Sequence, residues 1–384
     1  MKIGILTLPL HNNYGGILQN YALQQVLIKL GHEVETIDWN VKYGRFKVLA
    51  SRCKLWLFTY LTNKKKETPR YNPSDEEFRF ISQNTHRFVK KYLRVSPTKV
   101  TRQKNLNALT HERGYEAFVV GSDQVWRPSY NAWMSSFFLD FTQGEKIRRV
   151  AYAASFGTSK WEFSKSLTER CARLVKKFDL ITVREISGVQ LCKDYLGVDA
   201  KHVLDPTMLL IKEDYIKLIG LEQEPQCNGT LFHYILDPFE VKNVIIQEMA
   251  EKNRLVPFTI MPTCQTENRT KWDIKNRIEE CVYPPVTKWL RGFMDAKLVV
   301  VDSFHGAVFS IIFNKPFWVL ENPKRGNARF KSLLEMFGLE NRMISTDIYP
   351  NIDLKDMNID WMKVNEVMAR KRSQCINMLK NSLI

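Results

Sequence analysis

The stretch VVVDSFHGAVFS, residues 299–310, decides how this chain folds. Three valines make a short apolar strand, Asp302, Ser303 and His305 interrupt it, and an apolar run resumes behind Gly306. A strand that turns directly into a helix explains this order. Such a turn closes the carboxyl end of a parallel sheet and puts polar side chains and free helix-start N–H groups into the crevice beyond it. The helix is expected from Gly306, in GAVFSIIFN (306–314).

The same alternation extends in both directions. Before this turn lie the strand TLFHYIL (230–236), the helix VKNVIIQEMAEKN (241–253), the strand VPFTIM (256–261) and the helix VTKWLRGFMDA (286–296). After it come the strand PFWVLEN (316–322) and the long terminal helix at 361–383. Nearer the start, KIGILTL (2–8), EVETIDW (33–39), AFVVGSD (117–123), RRVAYAASFG (148–157) and LITVRE (180–185) read as strands. Apolar residues at three- and four-residue spacing give helices at 17–31, 74–94 and 167–178 between them. Strand, helix, strand in this order predicts parallel, doubly wound sheets. KHVLDPTMLL (201–210) carries the crossing, so two Rossmann-like α/β domains, residues 1–208 and 209–384, are expected to face a cleft.

Composition bounds the function. The 384 residues carry a net charge of +16, and residues 42–102 hold 16 Lys or Arg against four acids. Within that region RFKVLASRCKLWLFTYLTNKKK (45–66) mixes basic and aromatic residues, a pattern that suits either an anionic membrane surface or a helical hairpin packed on its domain. No nucleic-acid-binding motif accompanies the charge, so nucleic acid is not an expected partner. No run reaches the roughly 20 apolar residues of a transmembrane helix, and the N-terminus reads as a strand rather than a signal peptide, which predicts a cytoplasmic protein with at most peripheral membrane contact. Seven dispersed cysteines without a CxxC pair predict reduced thiols and no metal site.

Four constellations sit at predicted strand ends. In HNNYGGILQN (11–20), Gly15 and Gly16 allow close backbone approach to a ligand, or make a tight turn and nothing more. In VVGSDQVWRP (119–128), Asp123 is placed to accept a hydroxyl proton and Trp126 to stack on a sugar, while capping the next helix is the plainer use of Ser122 or Asp123. Arg184 suits a carboxylate or phosphate, or an ion pair with a neighbouring acid. His305 is a candidate general acid, with Ser303 and the helix N–H groups beside it as an anion site.

Taken together, NNYGGILQNYAL (12–23), GSDQVW (121–126), VRE (183–185), SFHGAVFSIIFNKPF (303–317) and RGNARFKSLL (325–334) resemble the polysaccharide pyruvyl transferase family across most of the chain. The resemblance implies a GT-B-like fold and transfer of the pyruvyl skeleton of phosphoenolpyruvate to a hexose, as a ketal, with release of phosphate. It implies no cofactor and no metal. The donor side would comprise Arg184, Ser303, His305, Gly306, Arg325 and Arg329, with His305 as acid. The acceptor side would comprise Asn13, Tyr14, Gly15, Gly16, Gln19, Asp123, Gln124 and Trp126, with Asp123 as base. The family's arginine two residues before the histidine is Ser303 here, and Arg329 is read as its replacement. The hexose, expected to be galactose, would belong to a surface or capsular polysaccharide precursor, carried on polyprenyl pyrophosphate at the membrane. A nucleotide-sugar glycosyltransferase of the same architecture is the alternative.

Overall fold

A computed structural model describes residues 1–40, 73–131, 133–264, 271–322, 326–345 and 353–384. The basic aromatic segment at 45–66 and Arg325 lie outside the described residues. The first sheet contains β1 (Lys2–Leu6), β2 (Glu33–Thr36), β3 (Ala117–Val120), β4 (Arg148–Ala154), β5 (Leu180–Val183) and β6 (Lys201–His202). The second contains β7 (Leu231–Tyr234), β8 (Pro257–Phe258), β9 (Leu298–Val301), β10 (Phe317–Leu320) and β11 (Met343–Ile344). Both are wholly parallel, ordered β2-β1-β3-β4-β5-β6 and β11-β10-β9-β7-β8. The short strands β6 and β11 were not expected from sequence; each pairs over two residues only.

Burial on both faces explains the near-continuous apolar strands. In the first sheet Ile3, Ile5, Val119 and Tyr152 point to one cluster, and Leu6, Phe118, Val120 and Ala151 to another. In the second sheet Phe232, Val299, Val301 and Val319 join the same cluster as Ile3 and Ile5, whereas Leu231, Val300 and Trp318 form a third. One apolar layer therefore runs through both units.

Six helices matter for the site: α1 (Tyr14–Lys29), α2 (Ile186–Leu191), α3 (Val286–Asp295), α4 (Phe304–Ile312), α5 (Ala328–Phe337) and α6 (Trp361–Ser382). The helix expected at 74–94 is two, Asp75–Ile81 and Gln83–Tyr92, broken at Ser82. The terminal helix α6 returns to the first unit, where Arg372 Nε donates to Met208 O at 2.9 Å and Leu379 is fully buried. No helix among the described residues is long and apolar enough to cross a membrane.

Candidate active site

In each sheet the chain reverses direction of growth at one place, between β1 and β3 and between β7 and β9. Loops at the carboxyl ends of such neighbouring strands splay apart and leave a crevice. Here the two crevices face each other. Asn13 and Gly15 follow β1, Asp123 and Gln124 follow β3, Leu236 follows β7, and Asp302, Ser303 and His305 follow β9; all line one cleft, with Tyr130 and Arg329.

A buried charge cluster forms its floor. Asp123 has φ 68°, the left-handed region in which aspartate is among the better-tolerated side chains. Its Oδ1 accepts from Arg184 Nη2 at 3.0 Å and from the Gln124 N–H at 2.9 Å. Arg184 Nη1 donates to Asp205 Oδ2, also at 3.0 Å. Asp205 Oδ1 accepts from the Thr207 N–H and hydroxyl, and Ser122 Oγ donates to its Oδ2. His305 Nε2 lies 3.4 Å from the same Oδ2, a charge contact without a hydrogen bond. Burial would raise the pKa of both aspartates. The positive charges win: Arg184, His305 and Arg329 hold Asp123 below the usual carboxylate range, and His305 with Arg184 holds Asp205 far below it.

The second unit supplies the opposite wall. Asp302 accepts from Lys242 Nζ at 2.6 Å and from the N–H groups of Leu236 and Asp237, so it fastens the loop after β7 rather than facing a substrate. Ser303 caps α4, its Oγ accepting from the Gly306 N–H at 3.0 Å. The N–H groups of Phe304 and His305 at the start of α4 have no partner among the described residues. The Phe304 ring lies under two guanidinium groups, Arg184 at 4.5 Å and Arg329 at 5.8 Å. Burial, with Arg184 beside it, lowers the Arg329 pKa to about 10, which leaves it a cation at neutral pH.

Several expected site residues are placed otherwise. Helix α4 begins two residues earlier than expected, and Gly306 spends its N–H on Ser303, so it offers none to an anion. Arg184, expected to hold the donor, does not line the cleft: its two Nη groups are bonded to two buried carboxylates. Trp126 is fully buried, stacked on Phe138 at 4.8 Å with its Nε1 donating to Phe137 O, and offers no face to a sugar. Tyr14 is also fully buried, stacked on Trp289 of α3 and donating to Pro284 O, so it joins the two units. Gln19 ties α1 to the loop after β3, donating to Thr7 Oγ1 and accepting from the Ser122 N–H. Gly16 gives its N–H to the cap residue Asn13 and lies off the cleft. Asn13, Gly15, Asp123, Gln124, Ser303, His305 and Arg329 do meet in the cleft.

Sequence reasoning missed two residues. Asp205, read as part of a crossing, had one signal: an acid closing the apolar pair Val203–Leu204 and followed by Pro206. Tyr130, 46% exposed at the cleft and backed by Arg127 at 4.9 Å, is the open aromatic face that had been assigned to Trp126. Among the described residues no three of His, Cys, Asp or Glu gather as a metal site.

Two parallel doubly wound units meeting at their switch points, with a terminal helix returning to the first, define a GT-B-like protein. The chain is similar in structure to Arabidopsis thaliana UGT89C1 complexed with UDP, with TM-score 0.50 and 8% identity over 100% of each chain, which shows the fold alone. It also matches UGT89C1 complexed with quercetin (TM-score 0.49, 8% identity, 99% of each chain). A third match is Neisseria meningitidis UDP-GlcNAc 2-epimerase bound to UDP-GlcNAc (0.46, 12%, 96% of this chain and 98% of that one). A search of curated proteins finds no match. The polysaccharide pyruvyl transferase family profile matches residues 13–324, and the chain belongs to that family. The matched span holds Asp123, Arg184, Asp205 and His305; Arg329 lies just beyond it.

Proposed function

We propose that this protein forms a pyruvate ketal on a hexose, galactose in the first instance, of a surface or capsular polysaccharide precursor, using phosphoenolpyruvate and releasing phosphate. One observation carries the reading beyond the family: a histidine, a buried arginine and two open helix-start N–H groups converge on the cleft opposite an ionised aspartate. Phosphoenolpyruvate brings a carboxylate and a phosphate, which Arg329 and the Phe304 and His305 N–H groups suit. His305 gives a proton to the terminal methylene carbon, and the neighbouring carbon becomes an oxocarbenium-like centre. A sugar hydroxyl attacks that carbon while Asp123 takes its proton. Phosphate then leaves with the C–O bond electrons, and the second hydroxyl attacks the same carbon and closes the ketal, its proton going to the His305 imidazole that was left neutral by the first step. Asp123, ionised throughout the working pH range, is a weak base on its own; the cationic centre acidifies the attacking hydroxyl and makes that basicity sufficient.

The basic segment at 45–66 suits a polyprenyl-pyrophosphate carrier at the inner face of the cytoplasmic membrane, a role proposed here on sequence alone. The test is release of phosphate from phosphoenolpyruvate in the presence of galactosides, glucosides and mannosides. Phosphate that depends on the acceptor, and disappears with His305→Ala in a folded variant, is expected. Consumption of a nucleotide sugar without phosphoenolpyruvate would replace this reading with glycosyl transfer.

A further inference from the structure

A helix usually caps its first N–H groups with the side chain just before it. At α2 that residue is Glu185, and its carboxylate is engaged elsewhere: Oε1 accepts from Ser155 Oγ at 3.0 Å and from the Phe156 N–H at 2.8 Å. Glu185 thereby ties the loop after β4 to the loop after β5 and makes one platform of the two. The Ile186 N–H, left over at the start of α2, goes to Ser332 of α5, whose Oγ accepts it at 3.0 Å. Ser332 is itself buried and does not line the cleft. The cap of a first-unit helix is therefore supplied by the second unit.

A second foothold comes just before α5. Gly326 has φ 83°, in the left-handed region that glycine adopts freely, and a Cβ there would lie 2.6 Å from Gly157 O in the loop after β4. Backbone meets backbone at that point, and a side chain would push α5 off the platform. Arg329 stands between the two footholds, three residues from each in sequence. Residues three apart share a helix face, so the side of α5 that Ser332 fastens is the side that carries Arg329. From there the guanidinium reaches the cleft beside the Phe304 ring. Arginine's long side chain has many rotamers, and its fork meets a carboxylate or phosphate squarely only when the backbone that carries it is held.

We infer that Ser332 is a positioning residue for the donor: by capping α2 from the other unit it fixes α5 on the platform and sets Arg329 at the place of the donor's anionic groups. The inference rests on Arg329 binding phosphoenolpyruvate, as proposed above. Ser332 touches no substrate, and its effect on the donor passes through Arg329. A hydroxyl that served only the stability of the fold would act alike with or without that arginine.

The test is a double-mutant cycle read by calorimetry, so that it does not depend on pyruvyl transfer. Phosphoenolpyruvate is titrated into wild type, Ser332→Ala, Arg329→Ala and the double variant; the helix-start N–H groups of α4 keep binding measurable without the arginine. Ser332→Ala is expected to weaken phosphoenolpyruvate about tenfold in the wild-type background, the equivalent of one hydrogen bond, and by less than about twofold in the Arg329→Ala background. Gly326→Ala, which lifts α5 at the other foothold, should show the same dependence on Arg329. An equal loss in both backgrounds, or no loss in either, overturns the inference and leaves Arg329 as the donor's cation. Wild-type affinity in Arg329→Ala takes Arg329 out of the donor site and overturns both.

Discussion

Asp123 and Asp205 hold opposite ends of one guanidinium, and that arrangement dictates what each residue can do. Arg184 balances two buried carboxylates behind the cleft, and Arg329 is among the residues that line it. Asp205→Asn leaves Arg184 with one counter-charge, and a broken buried pair costs about 3–5 kcal/mol of stability at neutral pH. The sign of the pH effect follows from direction. Both aspartates titrate below the ordinary range in the folded protein. Their stabilisation is therefore complete above the unfolded value of about 3.9 and is lost as pH falls through the lower folded values. The urea midpoint of Asp205→Asn should fall less steeply than wild type below about pH 4. Parallel acid limbs would show that Asp205 contributes nothing to this linkage. Two aromatic residues can be separated in the same way. Tyr130→Ala is expected to raise the acceptor KM several-fold while stability changes by less than about 0.5 kcal/mol. Trp126→Ala should cost about 3–5 kcal/mol, and its acceptor KM in the folded fraction should be unchanged. The reverse pattern would restore Trp126 as the sugar platform.

At the scale of elements, the turn between β1 and α1 must let the other unit come close. A Cβ on Gly15 would lie 2.1 Å from His305 Nδ1, which is why glycine stands there. Gly15→Ala should displace the ring and lower kcat by about 100-fold, since a shift near 1 Å costs that much. An unchanged kcat would mean that His305 works from another position. The strands were legible in sequence because both faces are buried, which makes them uniformly apolar, and the turn at 299–310 was legible because polar residues break that pattern abruptly. The split at Ser82 was not legible, since the aromatic and basic residues on either side keep a helical period. Trp126 misled because a strand end predicts proximity to the cleft but not direction: the segment Met134–Phe138 folds over the indole and buries it. Asp205 was hidden for a related reason. Its partners Arg184, Ser122 and His305 come from three distant stretches, and no local spacing encodes their meeting.

At the scale of the whole molecule, one apolar layer passes through both units, with Tyr14 stacked on Trp289 at its centre. The terminal helix closes this layer over the first sheet. Leu379→Ala should therefore destabilise the entire protein by about 2–5 kcal/mol in a single transition. Two separated transitions, with only one of them shifted, would contradict a shared core. Closeness of the units also matters for chemistry, because His305 and Ser303 come from the second and Asp123 and Asn13 from the first. The central claim is that this joint cleft transfers pyruvate as a ketal. Mass spectrometry of the sugar after incubation with phosphoenolpyruvate tests it most directly. A galactoside heavier by one pyruvate less one water, formed by wild type and absent with His305→Ala, is the expected result. A galactoside of unchanged mass, recovered with intact phosphoenolpyruvate from folded wild-type protein across free, nucleotide-linked and lipid-linked acceptors, would contradict it.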